Sequence, residues 1–156
     1  MDFGIIRSVK LFDLDKIVEI ERKCFSKYIA YTPKQLKYLI TRANSLSLAE
    51  IKHDVLRGFI IVLYKNGTSV AGIETLNVDP IFQGNGIGKK LLSAAEIDMH
   101  SRGINRIRLE VSIGNNSAIK LYERSGFRKT AILRNYYVND QYGSRDAFKM
   151  VKGLTT

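Results

Sequence analysis

The sequence predicts an α/β (α+β) architecture: a single mixed, mostly antiparallel sheet of about seven strands flanked by four helices. Three observations carry that expectation. Apolar spacing switches repeatedly between the two-residue period of strands and the longer period of helices. An Asn66-Gly67 pair separates two apolar runs, as a tight hairpin requires. A glycine-rich turn over 83–88 joins a strand directly to an amphipathic helix. With 156 residues, 45% of them hydrophobic and 26% charged, the chain has the size and composition of one globular domain, spanning 1–156.

Each element has its own local cause. Phe3–Val9 reads as a short first strand. Asp13 stands where a helix N-cap belongs, ahead of a stripe of Leu14, Ile17, Val18, Glu21, Cys24 and Phe25. A loop from Ser26 to Tyr31 follows. Thr32-Pro33-Lys34-Gln35 combines a capping box with proline at the first helical position, and Leu36, Leu39 and Ile40 continue that helix. Ser45–Lys52, the β-branched Phe59–Tyr64 and, across the Asn-Gly turn, Ser69–Val78 form an antiparallel meander. From Gly86 the spacing becomes helical through Ile87, Leu91, Ala95 and Met99 until Gly103 stops it. Arg106–Val111 is a strand. Gly114 to Ser117 breaks it and caps a helix carrying Ala118, Leu121 and Tyr122, which Gly126 ends. Phe127–Leu133 and Arg145–Val151 complete the sheet, with no linker or repeat between elements.

Composition excludes several functional classes. No apolar run reaches the length of a membrane span, and Met1-Asp2-Phe3-Gly4 lacks a signal-peptide pattern, so a cytoplasmic location is expected. The lone Cys24 permits no internal disulfide and, on an apolar stripe, reads as a buried inert thiol. His53 and His100 lie far apart with no ligand cluster, so no metal is expected. No Gly-x-Ser-x-Gly elbow or Cys–His pattern argues for a covalent nucleophile. The net charge of +10 comes from scattered basic residues without a nucleic-acid-binding signature. It fits a solvated surface that attracts an anionic cofactor or docks on a ribosome. The rival is a non-enzymatic, nucleic-acid-associated module, which would bind with strong salt dependence and turn nothing over.

The glycine turn carries the chemistry. Its backbone amides, together with the positive end of the following helix, make a cradle for phosphate or pyrophosphate. A Walker A loop would need glycine at Gln83 and Ser or Thr at Lys90; a Rossmann fingerprint would need glycine or alanine at Lys89. Both fail. What remains is Gln-x-x-Gly-x-Gly over Gln83, Gly86 and Gly88.

That loop resembles the acetyl-coenzyme A loop of the GNAT acetyltransferase superfamily. Asn115-Asn116-Ser117-Ala118 through Leu121-Tyr122 to Gly126-Phe127 is similar to the second GNAT signature, Asn-x-x-Ala-x-x-Leu-Tyr-x-x-x-Gly-Phe, and follows at the expected distance. Arg134-Asn135-Tyr136-Tyr137 with Asp146-Ala147 and Met150 resembles the C-terminal end of N-terminal acetyltransferases. Val78-Asp79-Pro80 and Leu109-Glu110-Val111 fit the RimI type, bacterial and archaeal, which acts on protein α-amines. The resemblance covers nearly the whole chain and implies a GNAT-like sheet with splayed central strands.

It also implies acetyl transfer from acetyl-CoA to a protein N-terminus by direct attack in a ternary complex, with the same fold acting on lysine, polyamine or small amines as the alternative. Cofactor contacts would fall to Val78, Gln83, Gly84, Asn85, Gly86, Ile87, Gly88 and Lys89; Lys89 and Lys90 either add charge at the phosphates or simply face solvent. Asn115 matches a cofactor-side asparagine and equally suits a helix N-cap. An α-amine of pKa about 7.7–8.0 needs only modest help to lose its proton. Glu110 matches the family's base position, although alternation with Ile107, Leu109 and Val111 puts it on the face of Arg108, a neutralising partner. Glu74, alternating with Val70, Gly72, Leu76 and Val78, is the second candidate or an orienter of the amine. Tyr122 matches the tyrosine that serves the leaving sulfur and also suits helix packing. Tyr136 and Tyr137, facing Phe25, Tyr28 and Tyr31, would grip the acceptor peptide.

Overall fold

An unbroken apolar run at 59–62 is satisfied only when both faces of its strand are covered, and all four of these residues are fully buried. The structure, a computed structural model, describes residues 4–155, so Phe3 of the expected first strand lies outside the described residues. β1 (Ile5–Ser8) leads through a 3-10 turn (Leu11–Asp13) into α1 (Leu14–Cys24) and α2 (Pro33–Thr41). β2 (Ser45–Lys52), β3 (Val55–Tyr64) and β4 (Val70–Val78) form the meander. A second 3-10 turn (Pro80–Phe82) precedes α3 (Ile87–Ser101), followed by β5 (Arg106–Ser112), α4 (Asn116–Arg124), β6 (Arg128–Leu133) and β7 (Ala147–Gly153).

The seven strands form one sheet in the order β1-β2-β3-β4-β5-β7-β6, antiparallel except where β4 meets β5. Ile60 and Val62 pack toward α3 and α4 with Leu91, Ala95, Met99 and Ile119. Phe59 and Ile61 pack the other way, with Ile17, Ile20 and Leu36 of α1 and α2. No helix among the described residues is long and apolar enough to cross a membrane.

The α2 start behaves as its residues dictate. Thr32 Oγ1 accepts from Gln35 N–H at 3.1 Å, and Gln35 Oε1 accepts from Thr32 N–H at 2.8 Å. Thr32→Ala is expected to cost about 1 kcal/mol in a thermal melt, and Thr32→Ser to restore it. Asp13, by contrast, does not cap α1. Its carboxylate accepts from Lys10 N–H at 2.7 Å and from Arg7 at 2.7 and 3.0 Å, which closes the preceding 3-10 turn instead. The Arg7 hydrogen bonds hold this carboxyl below its ordinary range in spite of its burial.

Two departures from regular pairing shape the centre of the sheet. β4 and β5 share rungs only from Val70↔Arg106 to Gly72↔Arg108, and then part. On its other side β4 pairs Ile61 with Thr75 but Val62 with Ile73, so Glu74 is the extra residue of a β-bulge. The bulge resets the faces: Ala71, Ile73, Leu76 and Val78 join the α3 side, while Thr75 and Asn77 face α1. Strict alternation, which grouped Glu74 with Val70, Gly72, Leu76 and Val78, is therefore wrong for this strand.

Candidate active site

The glycine turn is built to leave donors open. Asp79 Oδ1 accepts from Ile81 N–H at 3.3 Å and closes the 3-10 turn that delivers the chain to it. Gly84 and Gly86 hold φ of +84° and +76°, a region that costs an L side chain about 1–2 kcal/mol. Turning there leaves the backbone N–H groups of Gly84, Asn85, Gly86, Ile87, Gly88 and Lys89 without a hydrogen-bond partner among the described residues. They sit at the start of a 15-residue helix, where open N–H groups and the positive end of the helix dipole favour an anion.

Side chains brace this turn rather than fill it. Gln83 Nε2 donates to the Val78 carbonyl at 3.1 Å, and Asn85 Nδ2 donates to the Phe82 carbonyl at 2.8 Å. The Ile87 side chain is buried in the core, so only its backbone is open at the turn. A Cβ on Gly88 would approach Leu121 Cδ2 to 3.1 Å, so glycine there also seats α3 against α4. Lys89 is exposed beside the turn. Lys90 points elsewhere: its ammonium donates to the Gly4 carbonyl at 2.8 Å, which corrects its expected place at the phosphates. Val78 flanks the Asp79-to-Arg57 rung, so both its backbone groups face the parted strands. Its carbonyl already accepts from Gln83 and lies 3.5 Å from Cys24 Sγ, leaving the N–H for a ligand. Cys24 is only half-buried, and burial pushes its thiol up to about 12, so it stays protonated and inert.

Where β4 and β5 part, a cleft of about 340 Å³ opens. Glu74, Glu110, Asn115 and Tyr122 line it from the strands and α4, Phe25, Tyr28 and Tyr31 from the α1–α2 loop, and Tyr136 and Tyr137 from the β6–β7 loop. The Gln83–Lys89 turn does not line this cleft; it lies at the neighbouring α3 start. Glu110 stands partly exposed, 3.3 Å from the Arg108 guanidinium. It thus pairs with Arg108 and also lines the cleft. Tyr136 feels both carboxylates: burial, then the charges of Glu110 and Glu74, push its phenol up. Burial and the neighbouring Tyr136 and Glu110 push Tyr137 up to about 12. The two rings meet edge to face at 5.0 Å.

Tyr122 packs edge to face on Phe127 at 5.5 Å, and burial pushes its phenol well above the ordinary value, so it holds its proton at neutral pH. Its hydroxyl donates to none of the described residues. Asn115 Oδ1 accepts from Ala118 N–H at 3.4 Å, a long N-cap bond that leaves the Asn115 amide NH₂ available on the cleft side.

The sequence reading missed what fixes the walls. Glu21, a lone carboxylate on an apolar stripe, is 1% exposed and accepts from Tyr31 N–H at 3.0 Å, Thr75 Oγ1 at 2.9 Å and Asn77 Nδ2 at 2.7 Å. Burial pushes its carboxyl up against the pull of these three donors. Gln141, also buried, accepts from Ser26 N–H at 3.3 Å and donates to the Cys24 carbonyl at 3.3 Å; Tyr142 donates to the same carbonyl at 2.8 Å. These bonds fasten the β6–β7 loop to the end of α1. Among the described residues no group of three or more His, Cys, Asp or Glu could hold a metal ion.

The open turn lies next to strands that part, and the model of the Acetyltransferase (GNAT) family matches residues 14–127. The chain belongs to the GNAT family. It is 30% identical to N-alpha-acetyltransferase 30 of Schizosaccharomyces pombe over 130 residues, 81% of this chain and 80% of that one. It is 41% identical over 80 residues to the [ribosomal protein bS18]-alanine N-acetyltransferase of Salmonella typhimurium, 51% of this chain and 53% of that enzyme. The match thus spans about half the length of that relative. The crystal structure of the ribosomal-protein-S18-alanine N-acetyltransferase from Escherichia coli superposes with a TM-score of 0.85 at 27% identity, covering 97% of this chain and 94% of the other. GNAT acetyltransferases use acetyl-CoA, and six open N–H donors beside the parted strands fit a diphosphate followed by a linear amide chain.

Proposed function

We propose that this chain transfers an acetyl group from acetyl-CoA to the α-amine of a protein's first residue, by direct attack and without a metal. The observation that carries this reading is the cleft between β4 and β5, where Glu110 and Glu74 flank an aromatic-walled opening. The relatives named as N-terminal acetyltransferases support the same acceptor class.

Acetyl-CoA would supply the activated acetyl thioester, held by the N–H groups of residues 84–89, the Val78 N–H and the Asn115 amide. Glu110 takes a proton from the acceptor ammonium, directly or through one water, leaving the nitrogen lone pair free to attack. Glu74 attracts and orients the ammonium. Tyr122 lines the cleft with its hydroxyl protonated, and that proton would pass to the sulfur as the carbon–sulfur bond breaks; the second proton shed by the acylated nitrogen would restore the hydroxyl. Phe25, Tyr28, Tyr136 and Tyr137 hold the first residues of the acceptor, and the basic surface fits ribosome-bound substrates in a cytoplasmic setting.

The decisive experiment is a peptide panel with acetyl-CoA, comparing free and blocked N-termini, each with and without lysine. Free α-amines are expected to be acetylated irrespective of lysine content. Acetylation confined to lysine in blocked peptides would overturn the acceptor assignment. Tyr122→Phe is expected to lower kcat about 10²-fold, the low end of what a positioned proton donor contributes, with an unchanged melting curve.

A further inference from the structure

The face of the sheet that carries Glu110 is only half covered by helices. Ile17, Ile20 and Leu36 of α1 and α2 pack against Ala49 of β2 and Phe59 and Ile61 of β3. Among the described residues, that cluster draws none from β5, β6 or β7. Alternation with the buried Ile107, Leu109 and Val111 turns Arg106 and Arg108 to the same uncovered face as Glu110. The rungs Glu110↔Lys149, Arg108↔Val151 and Arg128↔Val151 add Lys149 and Arg128 to it. Of these cations only Arg108 has an ion-pair partner among the described residues, Glu110 at 3.3 Å. Positive charge is therefore in excess beside the acceptor cleft.

A groove of about 400 Å³ adjoins the cleft on this side. Tyr31 and Glu74 line both spaces, and Lys34, Gln35, Tyr38 and Leu39 of α2 form the groove's outer wall. On the sheet side Arg108 reaches back over β4: a Cβ on Gly72 would meet its guanidinium carbon at 3.3 Å. Glycine at 72 thus leaves room for a guanidinium two residues before Glu74. The rung Val70↔Arg106 sets a further cation beyond it, away from the cleft. Lys34 is exposed on the opposite, α2 wall.

We propose that this groove and the uncovered strand face beside it receive the acceptor chain beyond its first residue, and that Lys34, Arg106 and Arg108 select acceptors with Asp or Glu a few residues in. This rests on the N-terminal acceptor reading above. Reach and charge both set the occupant. Arg108 and Arg106 stand two and four residues before Glu110 on β5, about 7 and 14 Å along the strand. An extended chain with its amine at Glu110 brings about its third to fifth side chains to that level. The charges then alternate in register: cleft carboxylates meet the ammonium, and the cations beyond meet the acidic side chains. A basic segment in the same place would meet like charge.

The test uses three peptides that share their first two residues and carry Glu, Gln or Lys at the third to fifth positions, with saturating acetyl-CoA. Wild-type kcat/KM is expected to be about tenfold higher for the Glu peptide than for the Gln peptide, as two or three partly exposed ion pairs supply, and lowest for the Lys peptide. The difference should lie in KM and shrink as salt is raised. A Lys34→Glu/Arg106→Glu double variant should reverse the order while keeping kcat for the Gln peptide, since neither residue lines the cleft. If that variant melts early, Lys34→Gln/Arg106→Gln should level the three peptides instead. Equal wild-type rates on all three, a preference for the Lys peptide, or an acidic preference that survives in the double variant overturns the groove assignment while the acceptor reading stands. Binding of a short single-stranded RNA that the double variant loses, with no peptide preference in the wild type, gives these cations to nucleic acid and overturns it too. A wild-type chain that acetylates none of the peptides overturns both readings.

Discussion

Glu110→Gln is expected to lower kcat by about 10²–10⁴-fold, the usual contribution of a positioned general base. Calorimetry should show acetyl-CoA affinity unchanged, since the donors proposed to hold the cofactor are the open N–H groups on the turn at 84–89. Glu74→Gln should instead raise KM for the acceptor. The pH profile distinguishes the acceptor as well as the base. Without the base, the reaction depends on amine that has already lost its proton. That fraction rises about tenfold per pH unit up to the α-amine pKa of about 7.7–8.0, then levels off. The deficit of Glu110→Gln should therefore shrink as pH rises and stop shrinking near pH 8. A lysine acceptor would keep gaining to about pH 10.4. If Glu74→Gln, and not Glu110→Gln, shows this pattern, Glu74 is the base.

What the sequence disclosed and what it hid divide by distance along the chain. The capping box at 32–35, the Asn-Gly hairpin and the glycine turn before α3 are encoded within a few residues, where φ preferences and short side-chain reach decide the outcome. The splay of β4 from β5 followed only from the family resemblance, since no residue pattern marks where two strands part. Glu74 was placed on the wrong face because a bulge depends on the partner strand: Val62 takes Ile73 where alternation would give it Glu74. Glu21 was visible as a charge on an apolar stripe. Its partners Thr75 and Asn77, 54 and 56 residues away, were not. Gln141 is more remote still, binding Ser26 across 115 residues, so the fastening of the two cleft walls had no local signature.

The glycine turn rests on a device of this long-range kind. Glu50 is fully buried on β2 and accepts from Arg57 Nε at 2.7 Å, from the Arg57 Nη2 amine, and from Gly4 N–H at 3.1 Å. Burial pushes the Glu50 carboxyl up, but the Arg57 and Gly4 hydrogen bonds, with the charges of Arg57 and Lys90, outweigh it and hold the carboxyl below its ordinary value. The same guanidinium stacks over the Phe82 ring at 5.6 Å, and the Arg57 carbonyl accepts from Asp79 N–H at 2.8 Å. Arg57 thus joins a buried carboxylate to the segment that launches the glycine turn. Arg57→Met is expected to cost about 3–5 kcal/mol in denaturant unfolding, because it leaves Glu50 buried without its partner. A Glu50→Leu/Arg57→Met double variant should recover most of that loss. The sign of the pH dependence follows from the lowered carboxyl. Wild-type stability is fully present above the unfolded carboxylate pKa of about 4.3 and falls as pH drops through the folded value. The double variant should lose that part of the acid sensitivity. Acetyl-CoA binding should weaken in Arg57→Met even at temperatures where it remains folded, since Phe82 loses its stacking partner one residue before Gln83. Unchanged affinity in a folded Arg57→Met protein would show that the turn holds its shape through Asp79 and the two left-handed glycines alone.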